Sequence, residues 1–383
     1  VARALYIHWP FCLRKCPYCD FNSHVRAGVD VGQWREALLT DMRYEAGIAA
    51  REPLGSIFFG GGTPSLMPPE LVEALLKEAE HLWGFAPGVE ITLEANPSSV
   101  EAANFAALAS AGVNRVSLGL QALDDETLQF LGRLHDVKES LAALDTAQRH
   151  FDRVSFDLIY ARPDQTPEQW DAELTRALSF GTGHLSLYQL TIEAGTRFAT
   201  DVRLGDFTPL DDDPAATLFA LTAEKTAAAG LPAYEISNHA RPGEESRHNL
   251  TYWRYQDYLG VGPGAHGRRG GMATQRHKKP ENFLSAVARN GNGLVEERAL
   301  AAREQAAEAL LMGLRLREGV EPAALAARFD LSPAELTDSG KVEFLESLGL
   351  VWQAEGRLGV TGQGMPVLDA VLAQIVPDAL ASA

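Results

Sequence analysis

Three cysteines fall within eight residues, as Cys12-Leu-Arg-Lys-Cys16-Pro-Tyr-Cys19, and the chain has no other. Three are too few for a disulfide framework, and clustered thiols in one short segment suggest a metal. Thiolates are soft ligands that suit iron–sulfur clusters and zinc. A redox dithiol uses two cysteines. A structural zinc takes a fourth ligand, and neither His8 nor His24 completes a familiar zinc spacing. The spacing therefore predicts a [4Fe–4S] cluster held by Cys12, Cys16 and Cys19, with one iron left without a protein ligand.

Other groups capable of chemistry follow along the chain. Gly60, Gly61 and Gly62 precede Thr63 and Pro64 in a turn whose backbone can approach a ligand closely, although tight packing also demands glycine. Glu94 lies in Leu93-Glu-Ala-Asn-Pro97, Gln121 ends Ser117-Leu-Gly-Leu-Gln121, Arg133 lies in Gly132-Arg-Leu-His135, and Asp157 follows. Singly each is explained by structure; as an ordered set they point to one site. His248, in His248-Asn-Leu-Thr-Tyr-Trp253, would by itself be read as packing in a loop near the site.

The elements that must position these residues alternate. Strand patterns at 5–8, 56–59, 90–94, 115–120, 154–159 and 184–190 are separated by helical patterns at 33–50, 69–83, 100–111, 137–150 and 166–179. Thr166-Pro167-Glu168-Gln169 carries the start signals of a helix. This pattern predicts an α/β fold, a partial (β/α)6 barrel with its function at the C-terminal ends of the strands. A helix is expected at 211–229 and an extended run at 233–237. Helical patterns at 281–289, 303–316, 322–329 and 333–347 precede two short β-like runs, 350–353 and 357–361, and a last helix. We expect two domains: a barrel at 1–280 and a helical, winged-helix-like module at 281–383.

At 383 residues the chain can bury a barrel-sized core and a second module. No apolar run approaches the roughly 20 residues of a membrane helix, and the strand-like opening at 4–9 carries no charged-then-apolar leader, so a cytoplasmic protein is expected. With 34 basic against 51 acidic residues the net charge is −17, which argues against nucleic acid and anionic membranes as partners. The concentrated basic stretch, 266–279, is expected to be a solvated loop or to meet an anionic ligand such as a carboxylate-bearing tetrapyrrole.

The cysteine triplet after the first strand, followed one strand later by Gly-Gly-Gly-Thr-Pro, resembles the signature of the radical S-adenosylmethionine (SAM) superfamily. The resemblance implies that the open iron binds the amino and carboxylate groups of SAM, and that the reduced cluster splits the sulfonium to give a 5′-deoxyadenosyl radical. It implies that the 60–63 turn holds the methionyl end, that Tyr6 and Tyr18 contact adenosine or cluster, and that Glu94, Gln121, Arg133 and Asp157 complete the SAM site.

Tyr6-Ile-His-Trp-Pro-Phe-Cys12, the glycine turn, Gly132-Arg-Leu-His135 and the C-terminal module together resemble one branch, over nearly the whole chain. That branch contains the oxygen-independent coproporphyrinogen III oxidases (HemN) and the HemW haem chaperones. The oxidase has a fourth cysteine two residues after the third. Here Phe21 stands there, in Cys19-Asp-Phe-Asn-Ser-His24, and eleven residues precede Cys12 where the oxidase has an extension. His248-Asn-Leu-Thr-Tyr-Trp253 resembles a HemW motif, as does Tyr258-Leu-Gly-Val-Gly-Pro-Gly-Ala-His266. The first implies a haem bound through His248, with His266 and His239 as weaker candidates. Two functions follow from the resemblance. The favoured one is a haem chaperone that delivers haem to a membrane respiratory protein, with cluster and SAM governing transfer. The other is an enzyme that oxidatively decarboxylates coproporphyrinogen III, with Arg133 or Arg162 holding carboxylates. Whether SAM is consumed is left open by the sequence.

Overall fold

The computed structural model describes residues 3–26, 28–49, 52–377 and 380. All six expected strands are present and parallel: β1 (Arg3–Trp9), β2 (Leu54–Gly61), β3 (Phe85–Ala95), β4 (Arg115–Gln121), β5 (Arg153–Tyr160) and β6 (His184–Gln189), each paired with the next. Their period of two divides the faces. In β1, Leu5, Ile7 and Trp9 join the apolar core shared with the helices, whereas the Tyr6 hydroxyl meets His8 Nδ1 at 2.9 Å on the other face.

Helices Val31–Ile48, Pro69–Trp83, Val137–His150 and Pro167–Leu178 contribute to that core. Pro69 opens the second without a side-chain cap, and the other three starts are fixed by side chains that accept from orphan backbone N–H groups. Asp30 caps the first, and Asp136 and Thr166 form capping boxes. The helix expected at 100–111 is two, Ser99–Ala102 and Phe105–Ser110. Ala50, the expected end of the first helix, lies outside the described residues.

Beyond β6 the chain extends the sheet in ways its sequence does not announce. β7 (Asn238–Ala240) runs antiparallel to β6. The extended run expected at 233–237 forms no strand: Ala233 makes an isolated bridge with His239, and Ser237 O accepts from Leu187 N–H at 2.8 Å. β8 (Tyr258–Val261) returns to the far side of β1, parallel to it, and β9 (His266–Arg269), β10 (Met272–Arg276) and β11 (Leu294–Ala299) follow antiparallel. The sheet has eleven strands, in the order β11-β10-β9-β8-β1-β2-β3-β4-β5-β6-β7.

Two sequence expectations change here. The basic stretch at 266–279 is mostly the β9–β10 hairpin rather than a solvated loop, and its arginines are buried, while Lys278 and Lys279 beyond the hairpin are exposed. Arg276 is fully buried, its Nε 3.2 Å from Asp41 and its Nη2 2.5 Å from Glu45, and Arg269 bridges Glu45 and Glu297 at 2.7 Å each. The barrel sheet also continues past 280 to Ala299, and Phe283 and Val287 of the helix Pro280–Asn290 lie in the barrel core. The second core begins near Ala306 and runs to Leu380, taking Tyr255 from the barrel side. It packs helices Ala302–Gly313, Pro322–Arg328, Pro333–Leu336 and Ser339–Ser347 against a hairpin, Val351–Ala354 with Arg357–Val360, and a final helix Leu368–Ile375. The hairpin turns at Glu355 and Gly356, both at positive φ, as a tight two-residue loop requires.

Candidate functional site

The loop after β1 is held from three sides. Gly62 N–H donates to Trp9 O at 2.7 Å and Thr63 N–H to Phe11 O at 2.9 Å, so the turn after β2 lies along the start of the cysteine loop. A Cβ on Gly61 would stand 2.6 Å from the His8 ring, and one on Gly62 would stand 2.7 Å from Phe11 O. Close packing alone therefore demands these glycines. On the second side, Phe198 N–H donates to Pro17 O at 2.9 Å, and Gly132 leaves room for the Pro17 ring. On the third, Asn22 Nδ2 donates to Pro263 O at 2.9 Å and to Lys278 O at 3.0 Å. The glycine-rich segment after β8 thus faces the protein: Gly262 lies over His8 O and Gly264 against Asn22.

Inside this frame Cys12, Cys16 and Cys19 border a cavity of about 150 Å³ at the C-terminal ends of the parallel strands. Tyr18, Gly61, Gly62, Thr63, Glu94, Gln121, Arg133 and Asp157 line it too. Tyr6, Gly60 and His248 do not. Tyr6 and Gly60 sit one layer deeper, where the Tyr6 ring leaves no space for a Cβ on Gly60. Sequence reasoning missed Asn96, Ser117 and Ser23, although the first two lie in the segments that carry Glu94 and Gln121.

Two hydrogen bonds among the described residues reach the sulfurs. Thr63 Oγ1 donates to Cys12 Sγ at 3.3 Å and Arg133 Nη1 to Cys16 Sγ at 3.4 Å. Arg133 is fixed by Asn96 Oδ1 at 2.5 Å and Gly119 O at 2.9 Å, and Nη1 also reaches the Tyr18 hydroxyl at 3.3 Å. Gln121 ends β4 at φ +71, a conformation rare for a residue with a side chain and concentrated at functional sites.

Glu94 and Asp157 both line this cavity, half-buried. Burial, then the charge of Asp157, raises Glu94 to about 8. Burial raises Asp157 to about 6 against hydrogen bonds from Ser186 and Ser117. A pair of carboxylates with raised pKa values attracts a cation, which would return them to the ionised form. Because the folded state holds protons that the unfolded chain has released, this pair's contribution to the stability of the ligand-free protein falls as pH rises from about 4.5 to 8. Glu94→Gln is expected to flatten that loss, by up to a few kcal/mol at pH 8. Urea unfolding at pH 5 and pH 8 checks it; equal pH slopes in both proteins contradict it.

His248 lies elsewhere. It is 1% exposed in the helix Arg247–Trp253. Its Nδ1 is 3.1 Å from Ser56 Oγ, its Nε2 is 2.7 Å from the Tyr252 hydroxyl, and its ring stacks on Phe58 at 4.9 Å. Burial lowers its pKa to about 3, so it is neutral, and both ring nitrogens are engaged. Ser56 precedes Gly61 by five residues on β2, or about 17 Å at about 3.3 Å per residue. His248 therefore belongs to the barrel floor, not to its mouth, and offers no nitrogen to an iron in this conformation. His239 is buried against Thr226 Oγ1 at 2.9 Å, while His266 is exposed beside Gln275. Arg162 pairs with Glu173 at 2.5 Å and lines a different cavity.

Residues 6–177 match the Radical SAM superfamily and residues 300–367 the HemN C-terminal domain. The chain is 39% identical to "Radical S-adenosyl methionine domain-containing protein 1, mitochondrial" of Mus musculus, covering 98% of this chain and 87% of that one. It is 35% identical to "Heme chaperone HemW" of Mycobacterium tuberculosis, covering 96% and 93%. Its fold is similar to that of the coproporphyrinogen III oxidase HemN from Escherichia coli, with a TM-score of 0.83 at 23% identity over 97% of this chain and 89% of the other. The chain belongs to the radical SAM superfamily, in the branch that joins the barrel to a HemN C-terminal domain and contains these HemW relatives.

That family implies a [4Fe–4S] cluster and SAM, and the residues present fit both. The three thiols are free. Among the described residues no three His, Cys, Asp or Glu side chains close on a single metal ion, whereas a cubane takes its thiolates on three separate irons. Ser23 Oγ is buried beside the Cys12 and Cys19 thiols, and Arg133 Nε is a buried donor without a hydrogen-bond partner. Burial pushes both thiols up from their ordinary value, so iron binding would displace protons.

Proposed function

We propose that the chain is a haem chaperone that carries a [4Fe–4S] cluster and SAM and delivers haem to a respiratory protein. The observation that carries this is a three-thiol cavity, with Phe21 where the oxidase has a fourth cysteine, in a chain 35% identical to a protein named heme chaperone along almost its whole length. Among the described residues no helix is long and apolar enough to cross a membrane; we place the protein in the cytoplasm, meeting a membrane-bound acceptor from the aqueous side.

Cys12, Cys16 and Cys19 would hold the cluster, with Thr63 and Arg133 donating to its sulfur ligands. Electron-poor donors at thiolate sulfur favour the reduced state. Glu94 and Asp157 would hold the cationic part of SAM, with Gln121 and the 61–63 turn beside it. Cluster and SAM together supply one-electron radical chemistry when bound. His248, His266 and His239 are the sequence's candidates for the haem iron; for His248 that role requires the helix Arg247–Trp253 to leave the barrel floor.

The test is anaerobic turnover. The cluster-loaded protein, given SAM, reductant and coproporphyrinogen III, is expected to form no protoporphyrinogen IX above a control without protein. Sustained product, abolished in Cys16→Ala, would overturn the chaperone proposal in favour of the oxidase.

A further inference from the structure

Beside the cysteine loop, outside the barrel cavity, lies an open groove of about 870 Å³ that Cys16 and Cys19 also border. Its apolar wall is built from three phenylalanines far apart in sequence. Phe130 stacks on Phe198 with centroids 4.8 Å apart, and Phe207 meets both edge-on, at 5.3 and 5.0 Å. Phe198 is 3% exposed and anchors the group, while Phe130 and Phe207 are half-buried. Arg14 and Lys15 stand at the rim, both exposed, with no ion pair or hydrogen bond among the described residues. Arg197, at the start of the helix Arg197–Leu204, is a third cation and is paired with Asp201.

Two unpaired cations stand beside an aromatic wall, on a lining that also carries Asp206 and the Arg197-paired Asp201. They describe a ligand that is flat and apolar over most of its area and carries carboxylates at one edge. The volume is within the roughly 300–1,000 Å³ of small-molecule sites. His248 is held in the barrel floor with both nitrogens engaged. We infer that the groove of Phe130, Phe198 and Phe207 takes the face of a dicarboxylate tetrapyrrole, with Arg14 and Lys15 on its carboxylates. This inference rests on the haem-chaperone proposal and gives that function a place, against the cluster loop, where a change at the cysteines is felt directly. A macrocycle held by stacking and by its carboxylates needs no protein ligand on iron, which suits a ligand that has to be released.

The test is a titration of the cluster-loaded full chain with haemin and with iron-free protoporphyrin IX, followed by absorbance. The variants are Arg14→Glu/Lys15→Glu, Phe207→Ser and His248→Ala, each compared at equal iron content. Both porphyrins are expected to bind and compete with each other. The charge reversal, at exposed positions that leave the core untouched, should weaken both at least about tenfold, and Phe207→Ser should weaken both as well. The dimethyl ester of protoporphyrin should fail to compete, and His248→Ala should keep its affinity. Wild-type affinity in both groove variants, with binding lost in His248→Ala, would overturn the groove and leave the chaperone proposal standing. Failure of the wild-type protein to bind haemin would overturn the chaperone proposal itself, and the groove with it.

Discussion

Cys16→Ala is expected to reduce the iron and sulfide of the anaerobically reconstituted protein to background while leaving the fold intact. Cys16 is one of three thiols that border the cavity, and the two that remain cannot hold a cubane meant to keep a single iron open. The substitution also removes the acceptor of Arg133 Nη1, but Arg133 keeps Asn96 Oδ1 and Gly119 O, so its position survives. The loop itself is anchored through Pro17 O, Asn22 and the 62–63 turn, none of which involves Cys16. Far-ultraviolet circular dichroism and the unfolding midpoint of the metal-free protein should therefore match the wild type, while visible absorbance of the reconstituted protein disappears. Wild-type iron content in Cys16→Ala would show that the cluster is held by other residues.

The second large effect is on stability, at Asp41. This carboxylate lies in the helix Val31–Ile48, fully buried, and accepts from Gly293 N–H at 2.9 Å, from Gly262 N–H at 3.2 Å and from Arg276 Nε at 3.2 Å. Asp41→Ala leaves a buried guanidinium with one carboxylate fewer and two backbone donors unpaired. Breaking a buried pair from one side costs about 3–5 kcal/mol. Urea unfolding should show a loss of that size, with an unchanged slope. The cluster loop should suffer with it, because Gly262 begins the turn that receives Asn22 and covers His8 O. An effect below about 1 kcal/mol would place Asp41 among surface pairs, against its burial here.

The two residues illustrate what the sequence discloses and what it hides. Six parallel strands were legible because each is a short β-rich run between helices with clear start signals, such as Thr166-Pro167. The cysteine cavity was legible for the same reason: its residues sit at consecutive strand ends, and strand ends converge in a barrel. The Arg269–Arg276 hairpin was not. Its basic residues look like a solvated patch until Asp41 and Glu45, more than 200 positions earlier, are brought against them. The seventh parallel strand, β8, pairs back on β1, and no local pattern records that return. His248 shows the converse. By itself it reads as a packed histidine in a loop, and the resemblance alone implies a haem ligand; Ser56, Phe58 and Tyr252 enclose it in a helix rather than a loop, and Glu90 accepts from its backbone N–H at 3.1 Å. The phenylalanine groove depends on positions 130, 198 and 207, and only the packing of the Arg197–Leu204 helix on the cysteine loop makes them neighbours.

The most direct measurement of the central claim is an anaerobic haem titration of the cluster-loaded protein, followed by the Soret band and scored for stoichiometry. A haem carrier is expected to take up haem to a defined saturation and to release it to an added apoprotein. A linear rise with no saturation, or a spectrum identical to free haem, would contradict it.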